Sequence, residues 1–211
     1  INIVSHDLRS PLNQIKGLSK LLGYADSLEE VKALNQKVYD SAEDLTNMIS
    51  KILDISAIES KQIVLNNSTF DIITVLNDII DNFNPIAIQK NIKVGLESDC
   101  NNCEITLDKD YLIQILNNLI SNAIKFSTPN DNVTILADCS HDSYIIIHIK
   151  DNGPGISESD QKMLFNKFQK LTAQPTSGEA SSGLGLSIVK RYVDTMGGKV
   201  TCKSSLGKGT T

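Results

Sequence analysis

DKDYLIQILNNLISNAIKF, residues 108 to 126, decides how the larger part of this chain is read. Its leucines and isoleucines recur with a helical beat, and Asp108 stands where a capping carboxylate belongs. In the second half, NLISNAIKFS, Asn118, Asn122 and Lys125 fall at i, i+4 and i+7 along one face, opposite Leu119 and Ile120. Carboxamides are indifferent helix formers, so two of them on one face ask for a reason. The oxygen of Asn122 suits Mg2+, which keeps waters and takes its other ligands from phosphates, and Lys125 suits the neutralising of phosphate charge. A solvated face is the plain alternative for this helix taken by itself.

Around the helix the sequence reads as an α+β domain, one mixed sheet with helices across one face. Upstream, KQIVLNNSTFDI reads as a short strand and linker and 71 to 89 as a helix. IKVGLES and EITL then read as strands on either side of a CNNC turn. Downstream, VTILADC and YIIIHIK form a hairpin across SHDS. Residues 158 to 167 read as a short helix, 184 to 196 as another, and KVTCKSS as a strand, with a further strand starting at GTT.

Two glycine clusters join Asn122 in pointing to a phosphate-bearing ligand. In DNGPGI, Asp151 follows the strand YIIIHIK, where a carboxylate can accept from an exocyclic amine such as that of adenine. Gly153 and Gly155 permit left-handed backbone angles and close approach to a flat ring. In SSGLGLSIVKRYV, Gly183, Leu184 and Gly185 open an apolar-periodic helix, whose bare N–H groups and dipole make a seat for anions. Between them QKLTAQPTSGEASS has little to anchor it and reads as a mobile flap. There is no GxxxxGK[ST] segment, which excludes a P-loop.

Residues 1 to 60 keep a helical beat of their own. Val4, Leu8, Leu12, Ile15, Leu18 and Leu22 form one stripe. After GYADS, Val31, Leu34, Val38, Ala42, Leu45, Ile49 and Ile52 form another. The reading is an antiparallel helical hairpin. Two such helices bury little between them, so pairing of two hairpins into a four-helix bundle is expected; docking of one hairpin on another domain is the alternative. The second arm, 28 to 59, would reach about 48 Å against about 22 residues in the first, so more helix is expected before Ile1.

Within the first arm, SHDLRSP at 5 to 11 sets a histidine beside a carboxylate. His6 lies about 200° from Val4 on a helical wheel, which turns it to solvent. A neutral imidazole can attack phosphorus through one nitrogen while Asp7 holds the proton on the other. Pro11 either bends a continuous helix close to His6 or opens a helix capped by Ser10, leaving His6 in a loop. By themselves these residues prove nothing, since exposed histidines beside acids are common.

Composition narrows the partners. A net charge of −5, no basic block, 5% aromatics and no tryptophan argue against nucleic acid. The longest apolar run, YIII, is too short to span a bilayer. The opening INIVSHDL has neither the basic and apolar regions of a signal peptide nor an initiator methionine, so the chain reads as a segment of a longer protein. Cys100 and Cys103 alone are a weak zinc signal, and Cys139 and Cys202 read as small buried or half-buried residues.

Taken in order, these segments resemble the catalytic core of a sensor histidine kinase of two-component signalling, over essentially the whole chain. SHDLRSPL resembles the phosphoacceptor box. NLISNAIKFS, DNGPGI, LFNKFQKL and SSGLGLSIVK resemble the asparagine, first glycine, phenylalanine and second glycine boxes of the ATP-binding domain, and GKGTT the closing glycine–threonine motif. The resemblance implies a dimeric four-helix bundle at 1–62, a linker and first strand at 63–70, and an α+β sandwich of the GHKL type at 71–211. It implies ATP and Mg2+ as cofactors, His6 as the phosphorylated residue, Asp7 as its general base and Asn122 as the magnesium ligand. Asn118 and Lys125 would lie beside the phosphates and Asp151 on the adenine amino group. Gly153, Gly155, Gly183, Leu184 and Gly185 would shape the pocket and its lid, Phe165 and Phe168 anchor the lid, and Lys167 face the phosphates. Both phenylalanines also read simply as core residues of a short helix.

The partners implied are a second copy, a response-regulator receiver domain and an upstream sensor domain. The segment would be cytoplasmic, in a parent either soluble or membrane-anchored. Two departures stand out. Ser181 replaces the usual first glycine of the second glycine box, which puts the setting of the lid in doubt. Ser10 replaces the Thr or Asn of phosphatase-competent relatives, which puts activity on a phosphorylated regulator in doubt. The rival readings are an ATPase clamp of the gyrase and heat-shock chaperone type, which would need a glutamate in place of Asn118, and a catalytically silent dimeric scaffold.

Overall fold

An apolar residue every three or four positions builds the first two helices, α1 (Asn2–Leu22) and α2 (Leu28–Glu59). In this computed structural model the described residues are 2–59, 64–99, 103–141, 143–167, 169, 171–176 and 183–211. The side chains of 2–7, 44, 47–48 and 50–59 lie outside the description. Helix α1 runs unbroken through Pro11, so His6, Asp7 and Ser10 all belong to it. Pro11 cannot donate to the carbonyl of Asp7, which removes one helical bond next to His6. The hairpin turn closes with the N–H of Tyr24 donating to the Leu21 carbonyl at 2.9 Å. Ser27 then caps α2 by accepting from the Glu30 N–H at 3.1 Å.

The chain divides into two compact units, Ile1–Gln62 and Ile63–Thr211. The second contains β1 (Asn67–Asp71), α3 (Ile72–Gln89), β2 (Lys93–Ser98), β3 (Glu104–Asp108), α4 (Lys109–Phe126), β4 (Asn132–Asp138), β5 (Ile146–Lys150), α5 (Glu158–Gln161) and α6 (Gly185–Thr195).

Two aspartates organise its first half. Asp71 ends β1 and caps α3, accepting from the N–H groups of Ile73 and Thr74. Asp108 ends β3 and caps α4, accepting from the N–H of Tyr111 at 3.1 Å. The strands pair antiparallel, and each carboxylate also takes an N–H flanking the other strand. Cys103 donates to Asp71 at 2.9 Å and Asn66 donates to Asp108 at 2.7 Å. This exchange closes the ribbon at both ends, and the single sheet expected from the sequence is therefore two. Among the described residues β1 and β3 form a two-stranded ribbon, while β2, β4 and β5 form a three-stranded mixed sheet.

In that sheet β2 pairs parallel with β4, across a connection through β3 and α4, and β4 pairs antiparallel with β5 as the hairpin pattern predicts. Along β4, Val133, Ile135 and Ala137 point inward with period two. They meet Ile72, Leu76 and Ile79 of α3 and Leu116, Ile120 and Ala123 of α4. Each buried leucine or isoleucine contributes roughly 1.5–3 kcal/mol, so this layer is what holds α4 in register under the site. Tyr192 of α6 is buried and stacks on Tyr111 of α4 at 4.5 Å between centroids.

Two elements differ from expectation. Only Glu158–Gln161 is helical in the stretch 158–167, and turns follow. KVTCKSS has no strand of its own. The chain instead reverses at Leu206–Gly209 so that Lys203 and Thr211 exchange two backbone bonds of 2.8 Å, and Thr210 bridges both Ser204 and Asp151. Of the CNNC turn, Cys100 to Asn102 lie outside the described residues. Among the described residues no helix is long and apolar enough to cross a membrane.

Candidate functional site

Asp151 stands one residue beyond β5 and is half-buried. Its Oδ1 accepts from the N–H of Gly153 at 2.9 Å and from that of Thr210 at 3.1 Å. Its Oδ2 accepts from no group among the described residues. Burial pushes the carboxyl above its ordinary pKa, the two N–H donors oppose this, and the charge of Asp131 adds to it. One oxygen is thus fixed by backbone and the other left for an outside donor.

The glycines hold this arrangement for two different reasons. Gly155 has φ +73, and a Cβ there would lie 2.1 Å from the Ser205 carbonyl oxygen. Gly153 is not left-handed; it is needed because a Cβ would come within 2.7 Å of the Phe126 carbonyl oxygen, at the end of α4. The sequence allows a left-handed angle or a close approach at both positions, and of the two only Gly155 is left-handed. Gly209, which sequence reading did not single out, has φ +82, and a Cβ would meet the Asp151 carbonyl oxygen at 2.0 Å. Thr210 and Gly209 therefore belong to the Asp151 site, and their only prior sign was the GKGTT motif.

On α4, Asn118, Asn122 and Lys125 are half-buried on one face, as the spacing predicts. Asn118 donates its side-chain N–H to the Gln114 carbonyl at 2.9 Å, which turns its Oδ1 outward. A Cβ on Gly185 would lie 2.9 Å from that oxygen, so the second glycine cluster abuts the asparagine helix. The Asn122 amide makes no hydrogen bond among the described residues. Gly183 has φ +66, and Leu184, 2% exposed, seats the start of α6, whose first turn has no side-chain cap. Only the backbone of Leu184 remains for a ligand. An uncapped first turn keeps its N–H groups available for anions.

Phe165 is half-buried and Lys167 exposed, while Phe168 and Ser181 lie outside the described residues. The flap expected to lack anchors is tied down over its described part. The N–H and hydroxyl of Thr172 donate to Asp160, whose carboxyl the hydroxyl chiefly holds below the usual range. The N–H of Thr176 donates to the Lys125 carbonyl at 3.1 Å. Residues 177–182 lie outside the description. A cavity of about 420 Å³ is lined by Asp151 with Lys150, Cys202, Lys203 and Lys208 and by none of Asn118, Asn122 or Gly185.

Comparisons with known proteins agree with this layout. Residues 1–61 match the His Kinase A (phospho-acceptor) domain, and residues 107–211 match the Histidine kinase-, DNA gyrase B-, and HSP90-like ATPase family. The chain is 31% identical to Sensor protein SrrB of Staphylococcus aureus strain MRSA252, over 99% of this chain and 36% of that relative. It thus spans 36% of the length of this curated relative. Two solved structures are similar along nearly its full length. The Acinetobacter baumannii histidine kinase AdeS superposes with a TM-score of 0.77 at 24% identity, covering 97% of this chain and 94% of that one. Full-length ShkA in complex with AMPPNP gives 0.74 at 28% identity, covering 98% and 42%. With a phospho-acceptor region followed by an ATPase region, and a relative matched across both, the chain belongs to the sensor histidine kinases, a family of protein phosphotransferases, and corresponds to their catalytic core.

Proposed function

We propose that the chain transfers the γ-phosphoryl group of ATP to His6, from which it passes to an aspartate of a separate response regulator. The observation that carries this reading is Asp151, whose Oδ1 is occupied by two backbone donors and whose Oδ2 has none among the described residues. Such an oxygen at the bottom of a glycine-lined turn is matched to the exocyclic amine of adenine. ShkA, similar at 28% identity, is known in complex with AMPPNP.

In this reading Asn118, Lys125 and the opening turn of α6 from Gly183 to Gly185 receive the phosphates, with Lys167 facing them and Phe165 and Phe168 anchoring the lid. Asn122, half-buried and with its amide unbonded among the described residues, would hold Mg2+ together with phosphate and water oxygens. Bound there, Mg2+ supplies neutralisation of the phosphate charge that builds up in transfer. An imidazole nitrogen of His6 attacks the γ-phosphorus, the bond to the ADP oxygen breaks, and ADP leaves with the electron pair. Asp7 holds the ring proton on the other nitrogen and balances the cationic ring. Asn118 is a carboxamide and a poor base, which favours transfer over hydrolysis by water.

The assignment of 1–62 to dimerisation and phosphotransfer, 63–70 to a linker and 71–211 to ATP binding completes the proposal. Leu12, Leu21 and Leu28, from 54% to 70% exposed in the single chain, support pairing with a second hairpin. A second copy, a receiver domain and an upstream sensor are the partners, with the segment cytoplasmic. Ser10, exposed on α1, would orient a water if the chain also dephosphorylates the regulator.

Incubation with γ-labelled ATP tests the reaction. Label that is lost in acid and kept in base marks a phosphohistidine. Release of free phosphate without label on the protein would instead mean an ATPase, and neither result a scaffold. Asn122→Ala is expected to weaken ATP binding about tenfold in Mg2+ while leaving binding in EDTA nearly unchanged, as a titration in both buffers will read.

A further inference from the structure

The end of α4 carries a clasp built from groups that do not face the nucleotide. Helix ends leave carbonyls without intrahelical partners, and here Ser127 satisfies one by donating both its N–H and hydroxyl to the Ala123 carbonyl. The next two are taken from outside the helix. Lys90, beyond the end of α3, donates its Nζ to the Ile124 carbonyl at 3.0 Å, to the Lys125 carbonyl at 3.2 Å and to Thr176 Oγ1 at 3.0 Å. Thr176 in turn donates its hydroxyl to the Ser127 carbonyl at 2.7 Å, with the Lys125 carbonyl 3.1 Å away, and its own N–H to the Lys125 carbonyl at 3.1 Å.

Thr176 is an exposed residue, yet its hydroxyl meets one ammonium and two carbonyls. Pro175, with its fixed φ, leads the chain into this position. The carbonyl on which Lys90 and Thr176 converge belongs to Lys125, and Asn122 lies one turn earlier on the same face. A cation at a helix C-terminus is also favoured by the helix dipole.

We propose that Thr176, through Lys90 and the last carbonyls of α4, is a positioning residue for the phosphate end of the nucleotide. It touches no phosphate itself. It fixes the terminal turn of α4 so that Asn122 and Lys125 hold one orientation toward the triphosphate. This rests on the ATP reading above and adds to it a residue outside the recognised motifs. At the adenine end, the Oδ1 bonds of Asp151 run to Gly153 and Thr210 and to neither Thr176 nor Lys90.

The test uses the full chain, beginning with the unaltered protein titrated with ATP. Failure of that protein to bind would overturn the ATP reading itself. Thr176→Val is then expected to raise KM for ATP about tenfold with kcat changed less than about threefold, since misplacing a binding group by a fraction of an ångström has effects of this size. Thr176→Ser, which restores the hydroxyl, returns KM to within about twofold. Competition by adenosine, which has no phosphates, stays unchanged in both. Lys90→Met reproduces the Thr176→Val effect, and the double variant is no worse than the weaker single one, because both remove one network. A KM for Thr176→Val equal to the unaltered value overturns the proposal. So does a serine variant as impaired as the valine one, or adenosine weakening in step with ATP. Should Thr176→Val not fold, Lys90→Met is judged by the same KM and adenosine criteria.

Discussion

A chain with alanine at His6 takes no label from γ-labelled ATP, yet binds the nucleotide within about twofold of the unaltered chain. His6 lies in α1, in the unit Ile1–Gln62, whereas Asn118, Asn122, Asp151 and Gly185 all lie in the unit Ile63–Thr211. The substitution removes the acceptor nitrogen without altering any residue that faces the nucleotide. Alanine is also a better helix former than histidine, so the hairpin keeps its first arm. Two measurements on one preparation decide the matter, a labelling gel and a titration with a fluorescent ATP analogue. If the altered chain is labelled as strongly as before, His6 is not the acceptor. If that label resists acid, the hydroxyls of Ser5 and Ser10 are the places to look.

The second large effect belongs to Asp151→Asn. An asparagine can still accept from Gly153 and Thr210 through its Oδ1, so the turn keeps both backbone bonds. It presents an amide N–H2 where Oδ2 stood, donor against donor with the adenine amine. Nucleotide affinity should fall about a hundredfold, because a site built around a buried hydrogen bond rejects a partner that leaves it unmade. Stability should move the other way. Burial raises the Asp151 pKa, so the fold favours its protonated form. That contribution is fully present below the ordinary carboxylate range and is lost as pH rises through the raised value. At neutral pH the buried charge therefore costs stability, and Asp151→Asn removes the cost. Melting curves should show a higher Tm for the variant at neutral pH, with the gap closing in mild acid. Unchanged ATP affinity would remove Asp151 from the site, and a lower Tm at neutral pH would mean that the charge is not strained by burial.

What the sequence disclosed depended on how far apart the interacting residues lie. The cap at Asp108 acts within one helical turn and was legible. The alignment of Asn118, Asn122 and Lys125 follows from helical period alone, and so was legible too. The β4–β5 hairpin declared itself by alternation. The parallel pairing of β2 with β4 did not, since the crossover that separates them fixes no local pattern. The need for close approach at Gly153 was legible, but not the Phe126 carbonyl it must clear, which lies far back along the chain. The bond from Thr210 to Asp151 spans 59 residues and is farther still. The flap misled by composition. Its polar residues look unanchored, and the anchors of Thr176 are main-chain carbonyls and one lysine, which leave no trace in spacing. Motif order along the whole chain was what carried the family resemblance, which the matched regions now bear out.

The exchange of carboxylate contacts between Asp71 and Asp108 has a practical corollary for anyone excising the nucleotide-binding half. Cutting at the start of the matched ATPase region, residue 107, would strip Asp108 of the Asn66 amide and leave α4 facing the void where α3 packs. Such a fragment should aggregate or remain molten, whereas one beginning just ahead of Asn66 should melt cooperatively. The minimal portable piece is therefore larger than the family boundary suggests, and its upstream border is dictated by a single backbone N–H.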